Sequence, residues 1–192
     1  MAKSWMICRA LPLFAAGLLA GCGGSHPLMP LEKGVLGTYR VHYKFDTWVE
    51  PLRVERKVSV ANTSGYELSG PFGVSRLAWR DGVLFADQTA NAFFEPSVPL
   101  LLENGKKRHW EGTIRSLGVE RKATAELTQI NTPLEISGRK LDTVLSTLTV
   151  TTPTGVIELD SWFSAGTGLV QQEQRTNGQR VIQLQLVTPP SP

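Results

Sequence analysis

Along most of this chain, apolar and polar residues alternate one by one. In Thr38 to Phe45, Tyr39, Val41, Tyr43 and Phe45 fall on one face, and Thr38, Arg40, His42 and Lys44 on the other. Leu52 to Val60 repeats the pattern, with Leu52, Val54, Val58 and Val60 inward and Arg53, Glu55, Lys57 and Ser59 outward. Near the end, Arg180, Ile182, Leu184 and Leu186 alternate with Val181, Gln183, Gln185 and Val187. A period of two marks strands that bury one face and leave the other to water, the habit of antiparallel sheets. Turn-forming clusters separate these runs: Asn62-Thr63-Ser64-Gly65, Asp81-Gly82, Asn104-Gly105, Ser137-Gly138, Pro153-Thr154-Gly155 and Asn177-Gly178. Asp81-Gly82 and Asn177-Gly178 are the strongest hairpin turns, because both pairs accept the positive φ that a tight turn requires. The spacing predicts roughly ten to twelve strands. The expected fold is all-β: an antiparallel, strongly curved sheet forming a half-open barrel, or a β-sandwich. One segment fits two periods. Val119, Ala123, Leu127 and Ile130 recur at helical spacing, while Ala123, Ala125 and Leu127 alternate; sheet-like flanks favour a strand.

The start of the chain departs from this pattern. A basic end (Lys3, Arg9) leads into an uninterrupted apolar run from Ala10 to Gly21. At 12 residues it is well short of the roughly 20 that cross a bilayer as a helix. Gly23-Gly24-Ser25-His26-Pro27 would break any helix that continued. Leu19-Ala20-Gly21-Cys22 resembles the lipobox of bacterial lipoproteins. The resemblance implies cleavage before Cys22, a diacylglycerol on its thiol and an acylated amino terminus. Each buried methylene contributes about 0.8 kcal/mol, so two or three chains anchor durably where one does not. The expected place is the cell envelope, on a membrane surface outside the cytoplasm. Gly23 rather than Asp after the cysteine favours, by analogy with Gram-negative sorting, the outer membrane. The expected organisation is a leader over 1–21, a lipidated N-terminus and tether over 22–36, one β domain over 37–188 and a Pro-rich tail over 189–192.

Composition narrows the chemistry. Without Lys3 and Arg9, 18 basic residues face 17 acidic ones, so the pI of 9.0 overstates the basicity of the working protein. Nothing in that balance points to nucleic acid. The only cysteines are Cys8 and Cys22, so the folded part can form neither a disulfide nor a thiolate metal site. His26, His42 and His109 lack metal-ligand spacing. Gly73-Val74-Ser75-Arg76-Leu77 lacks the second glycine of a nucleophile elbow. Asp81, Asp142 and Asp160 read as turn and strand-edge residues. No catalytic residue, metal or cofactor is expected, and the protein reads as a non-enzyme.

The most distinctive stretch is Trp162-Phe163-Ser164-Ala165-Gly166-Thr167-Gly168-Leu169-Val170. With Pro30-Leu31, Gly37-Thr38-Tyr39, and Trp110 with Gly112, it resembles exported bacterial β-proteins of unknown function. These in turn resemble the half-open barrels of lipoprotein carriers. The resemblance implies a sheet curled around an apolar hollow. Bottom-up, Gly166 and Gly168 make a tight bend between strands. A phosphate loop would need a following helix, and none is predicted. Trp79, Trp110 and Phe163 are the candidates for lining a ligand hollow, with core packing as the plainer role for the tryptophans. Lys106-Lys107-Arg108-His109 reads as a solvated hairpin end, or as a patch for anionic headgroups. Two functions follow: holding an apolar or amphipathic ligand, such as a lipid or acylated peptide, in the curved sheet, or docking an envelope protein through sheet edges or loops. An open apolar cavity of several hundred Å3, typical of binding pockets, would favour the first.

Overall fold

The computed structural model describes residues 26–31, 34–116 and 118–188; Cys22 and the expected tail lie outside the described residues. The described residues form twelve antiparallel strands. The first six are β1 (Gly34–Tyr43), β2 (Asp46–Val60), β3 (Thr63–Gly70), β4 (Gly73–Arg80), β5 (Val83–Thr89) and β6 (Ala92–Leu102). The others are β7 (Lys107–Ser116), β8 (Val119–Ile136), β9 (Arg139–Thr152), β10 (Gly155–Ser164), β11 (Gly168–Thr176) and β12 (Gln179–Thr188). Each strand pairs with the next, and β12 pairs back with β1, so the curved sheet closes into an up-and-down barrel rather than staying half open. The segment that fitted two periods is the first part of β8.

Local chemistry explains most of the turns. Asp81 and Gly82 take φ of 52° and 71°, and Asn177 and Gly178 take 50° and 78°, as the hairpin reading expects. Three inward assignments are corrected: Phe45, Val58 and Val60. Phe45 lies in the Lys44–Phe45 turn and is wholly exposed. In β2 the register shifts between Val54 and Arg56. One extra residue moves every later side chain to the opposite face. Val60 is therefore buried on the outer face, beside Gly65 and Ala78, while Leu52 and Val54 stay in the core.

Inside, Tyr39, Val41, Leu68, Leu84, Leu127 and Leu184 are almost wholly buried. Outward positions such as Arg53, Glu120, Lys122 and Thr124 are exposed. Apolar inside and polar outside is the reverse of a barrel that spans a membrane.

The wall changes course at β6. β6 pairs with β7 only from Ala92 to Glu95, opposite Ser116 to Thr113. Beyond that it stays with β5 but turns into the barrel, and Val98 to Leu102 are buried at every position. At the crossing, a Cβ on Gly112 would stand 2.3 Å from the Glu95 carbonyl oxygen, so only glycine lets the two strands pass. The free edge of β6 then meets polar side chains on the inner wall. Gln129 accepts the Leu102 N–H at 2.5 Å and donates to its carbonyl at 3.0 Å, and Ser146 donates to the Leu100 carbonyl at 2.6 Å. Gln129, Ser146, Ser161 and Gln172 lie on one rung across β8 to β11, and Gln172 donates to Ser161 at 2.8 Å. This polar belt sits where apolar residues would otherwise continue. Each buried backbone group left without a partner would cost about 1–3 kcal/mol, which is why the belt is polar.

The expected tether also differs. His26 to Leu31 crosses one mouth of the barrel and packs into it, with Met29 and Leu31 buried. The Trp79 indole donates to the Met29 carbonyl at 3.0 Å, and the Gly166 N–H donates to the Pro27 carbonyl at 2.9 Å. β1 begins at Gly34, and residues 26–31 pack with the domain rather than trailing as a tether. The physical reason is apolar burial: Leu28, Met29 and Leu31 have nowhere else to leave water.

Candidate functional site

The barrel interior is nearly full. Its apolar cavity measures about 40 Å3 and is lined by Met29, Phe72, Leu84, Leu100, Phe163 and Leu184 among others. Binding pockets run to about 300–1,000 Å3, so this space does not seat an acyl chain. Of the three candidate lining residues, Phe163 reaches this cavity. Trp110 is buried elsewhere, donating to the Pro96 carbonyl at 2.9 Å and meeting Phe94 edge-on at 5.8 Å. Trp79 stacks on His26 at 3.5 Å beneath the N-terminal segment. The structure does not bring the three together around one space.

Outside, the departure of β6 leaves a cleft of about 670 Å3. Its walls include Arg80, Phe85, Asp87, Phe93, Glu95 and Arg115. The Arg80 and Arg108 guanidiniums lie over the Phe85 ring at 4.9 and 5.3 Å, and Arg115 lies over Phe93 at 4.8 Å. Asp87 accepts from the Ser97 hydroxyl. Asp87 also accepts the Ala61 N–H at 3.4 Å, and Arg80 donates to the Ala61 carbonyl at 2.5 Å. The expected basic end lies beside it: Lys107 pairs with Glu126 at 2.7 Å and His109 with Glu111 at 3.2 Å.

The β1–β2 hairpin presents a different surface. β3 pairs with β2 only from Arg53 to Val60, so among the described residues Asp46 to Pro51 have β1 on one side and no strand on the other. Tyr43 and Asp46 flank a two-residue turn and form a bonded rung. Bonded rungs alternate along an antiparallel pair, so Thr47, Val49 and Pro51 turn their backbone groups away from β1. His42 and Thr47 form a non-bonded rung, and their side chains meet there at 2.9 Å. Pro51, without an N–H, suits an open edge. Phe45 is fully exposed, Val49 is 57% exposed and Trp48 is 37% exposed. Sequence reading passed over Asp46 to Pro51. The available signal was adjacent Trp48 and Val49, which break the alternation, followed by Pro51.

Several titratable groups are committed to structure. Arg175 bonds both Asp160 and Glu173, and Thr147 donates to Asp160 at 2.7 Å. Burial pushes the Tyr39 phenol up, and its hydroxyl donates to the Leu169 carbonyl at 2.7 Å. Burial lowers His26, against a smaller upward pull from Glu103. Asp81 and Asp142 are exposed on separate hairpins. Among the described residues no three His, Cys, Asp or Glu side chains gather as metal ligands.

No family model matches this chain, and no curated protein matches it in sequence. Among solved structures it is similar to a protein described as a candidate lipoprotein from Parabacteroides distasonis, at 12% identity and a TM-score of 0.49 over 83% of this chain and 96% of that one. It is also similar to an exported protein with a YmcC-like fold from Bacteroides fragilis, at 11% identity and a TM-score of 0.48 over 85% and 99%. A third is the hypothetical lipoprotein YmcC from Escherichia coli, at 14% identity and a TM-score of 0.42 over 80% and 87%. These likenesses transfer no residue role and no activity.

Proposed function

We propose that this chain is an envelope lipoprotein, anchored through acylated Cys22, that docks a protein partner by strand addition to the β1–β2 arm and performs no catalysis. The observation that carries the reading is the arm itself. An unpaired backbone edge from Thr47 to Pro51 runs beside exposed Phe45, Trp48 and Val49. Main-chain groups of such an edge supply affinity to an added strand, and the side chains beside it supply selectivity. The filled interior speaks against the carrier reading, since the hollow that reading requires is occupied by β6 and the belt that holds it.

The test is a photo-crosslinker placed at Val49 in the membrane-anchored protein, with a second at Thr124 on the outer wall as control. A discrete protein adduct is expected at Val49 and not at Thr124. Thr47→Pro deletes an N–H that faces away from β1, so it should leave the barrel folded and abolish the adduct. Adducts to lipid alone, unaffected by that proline, would overturn the protein-docking reading.

A further inference from the structure

We infer that the barrel mouth closed by His26 to Leu31 lies against the bilayer as a headgroup-contact surface, holding the β1–β2 arm at the far side. The inference rests on the proposed anchor at Cys22 and adds the orientation that the anchor imposes. Among the described residues, His26 is the first at which the chain is held. It stacks on Trp79 at 3.5 Å and receives the Leu28 N–H at 3.3 Å, and its carbonyl receives the Met29 N–H at 3.1 Å. Only Gly23, Gly24 and Ser25 separate it from Cys22. Four backbone steps span at most about 14 Å, whatever their conformation. A tether running to residue 36 would have let the domain tumble. The packed segment removes that freedom.

The strands alternate in direction, so one mouth gathers the turns at Ala61–Asn62, Asp81–Gly82, Glu103–Lys106, Ser137–Gly138 and Ala165–Thr167. His26 lies there, 3.9 Å from Glu103. The β1–β2 turn lies at the opposite mouth, and β1 alone carries the chain roughly 30 Å from Gly34 to Tyr43. Beside the turns of the near mouth stand Arg80, Lys106, Lys107, Arg108, Arg139 and Lys140, with Asp81, Glu103, Glu126 and Glu135. This surplus of cations suits anionic headgroups. Phe45, Trp48 and Val49 then face away from the anchoring membrane, and their apolar surface meets a protein rather than that bilayer.

The folded body has no cysteine, so a single introduced thiol can be labelled in the lipidated protein. We would attach a fluorophore through Ser137→Cys or Asn104→Cys at the near mouth, and through Asn177→Cys or Pro153→Cys at the far one. The protein would be reconstituted in phosphatidylethanolamine–phosphatidylglycerol vesicles carrying a headgroup spin-label quencher. Near labels should be quenched several-fold more than far labels. Protein that floats with the vesicles but shows equal or reversed quenching overturns the orientation and leaves the anchor intact. Protein that stays unlipidated and fails to float overturns both.

Discussion

Strands β6 and β2 each lose a ladder partner along about half their length, as β8 does beyond Thr128, and the molecule treats the first two in opposite ways. The lower half of β6 turns inward, where Gln129 meets the Leu102 N–H and carbonyl and Ser146 meets the Leu100 carbonyl. The upper half of β2 stays outside, and among the described residues no side chain bonds the backbone of Thr47 or Val49 in the same manner. The difference follows from water. A buried N–H or C=O must be paired inside the protein, whereas an exposed one exchanges with solvent until a partner displaces it. An inner break in a sheet is therefore finished by the fold. An outer one remains available.

The sharpest way to break the comparison is Gln129→Leu. It fills similar volume but strands both backbone groups of Leu102, at about 1–3 kcal/mol each, so a loss of about 2–6 kcal/mol is expected from urea unfolding. A loss no larger than that of a surface substitution would mean that β6 is not held by the belt. Next comes Gly112→Ala. Its methyl would meet the Glu95 carbonyl and the Trp110 ring at 2.3 and 2.6 Å. Overpacking of this kind costs typically about 1–3 kcal/mol, and the expected readout is a lower midpoint with a retained β-type circular dichroism spectrum.

The same pair of regions shows what could be read from the chain. Strand number, all-β class and the best hairpin turns follow from period-two alternation and from Asp-Gly and Asn-Gly, because those signals are local. Register is not local. The bulge after Val54 reverses the faces of Val58 and Val60, and nothing within Leu52 to Val60 announces it. The belt left a trace, since Ala123, Ala125 and Leu127 give way to Gln129 on the same face. Yet what Gln129 serves lies 27 residues away in β6, and only tertiary structure connects them. Likewise, Pro51 and the adjacent Trp48 and Val49 hint at an edge strand, but that edge exists because β3 ends at Gly70.

On the open side, Val49→Lys should shift stability by no more than about 0.5 kcal/mol, the usual range for exposed positions away from special features. It should nonetheless remove the Val49-centred partner contact, detectable as loss of crosslinking from a probe moved to Trp48. A large stability loss would show that the arm is part of the barrel's own structure rather than a free surface.

The smallest effect tests the rule that the inside is fully satisfied. Among the described residues, His26 Nε2 is the buried side-chain atom without a hydrogen-bond partner. His26 Nδ1 accepts the Leu28 N–H, so the neutral ring carries its proton on Nε2, which stands 3.9 Å from Glu103, too far for a hydrogen bond. Burial lowers this histidine below its ordinary value of 6.5, with Glu103 pulling weakly the other way. The unfolded chain therefore binds the proton first as pH falls. Stability is full above about 6.5, declines as pH drops from there towards the lowered native value, and levels off beneath it. His26→Phe keeps an aromatic ring on Trp79 and removes the titration. Melting temperatures of the two proteins, compared from pH 7.5 to pH 5 in one buffer series, should diverge in slope, with the wild type losing more on acidification. Parallel slopes would mean that His26 takes up its proton equally in both states, and that the mouth it closes is wet.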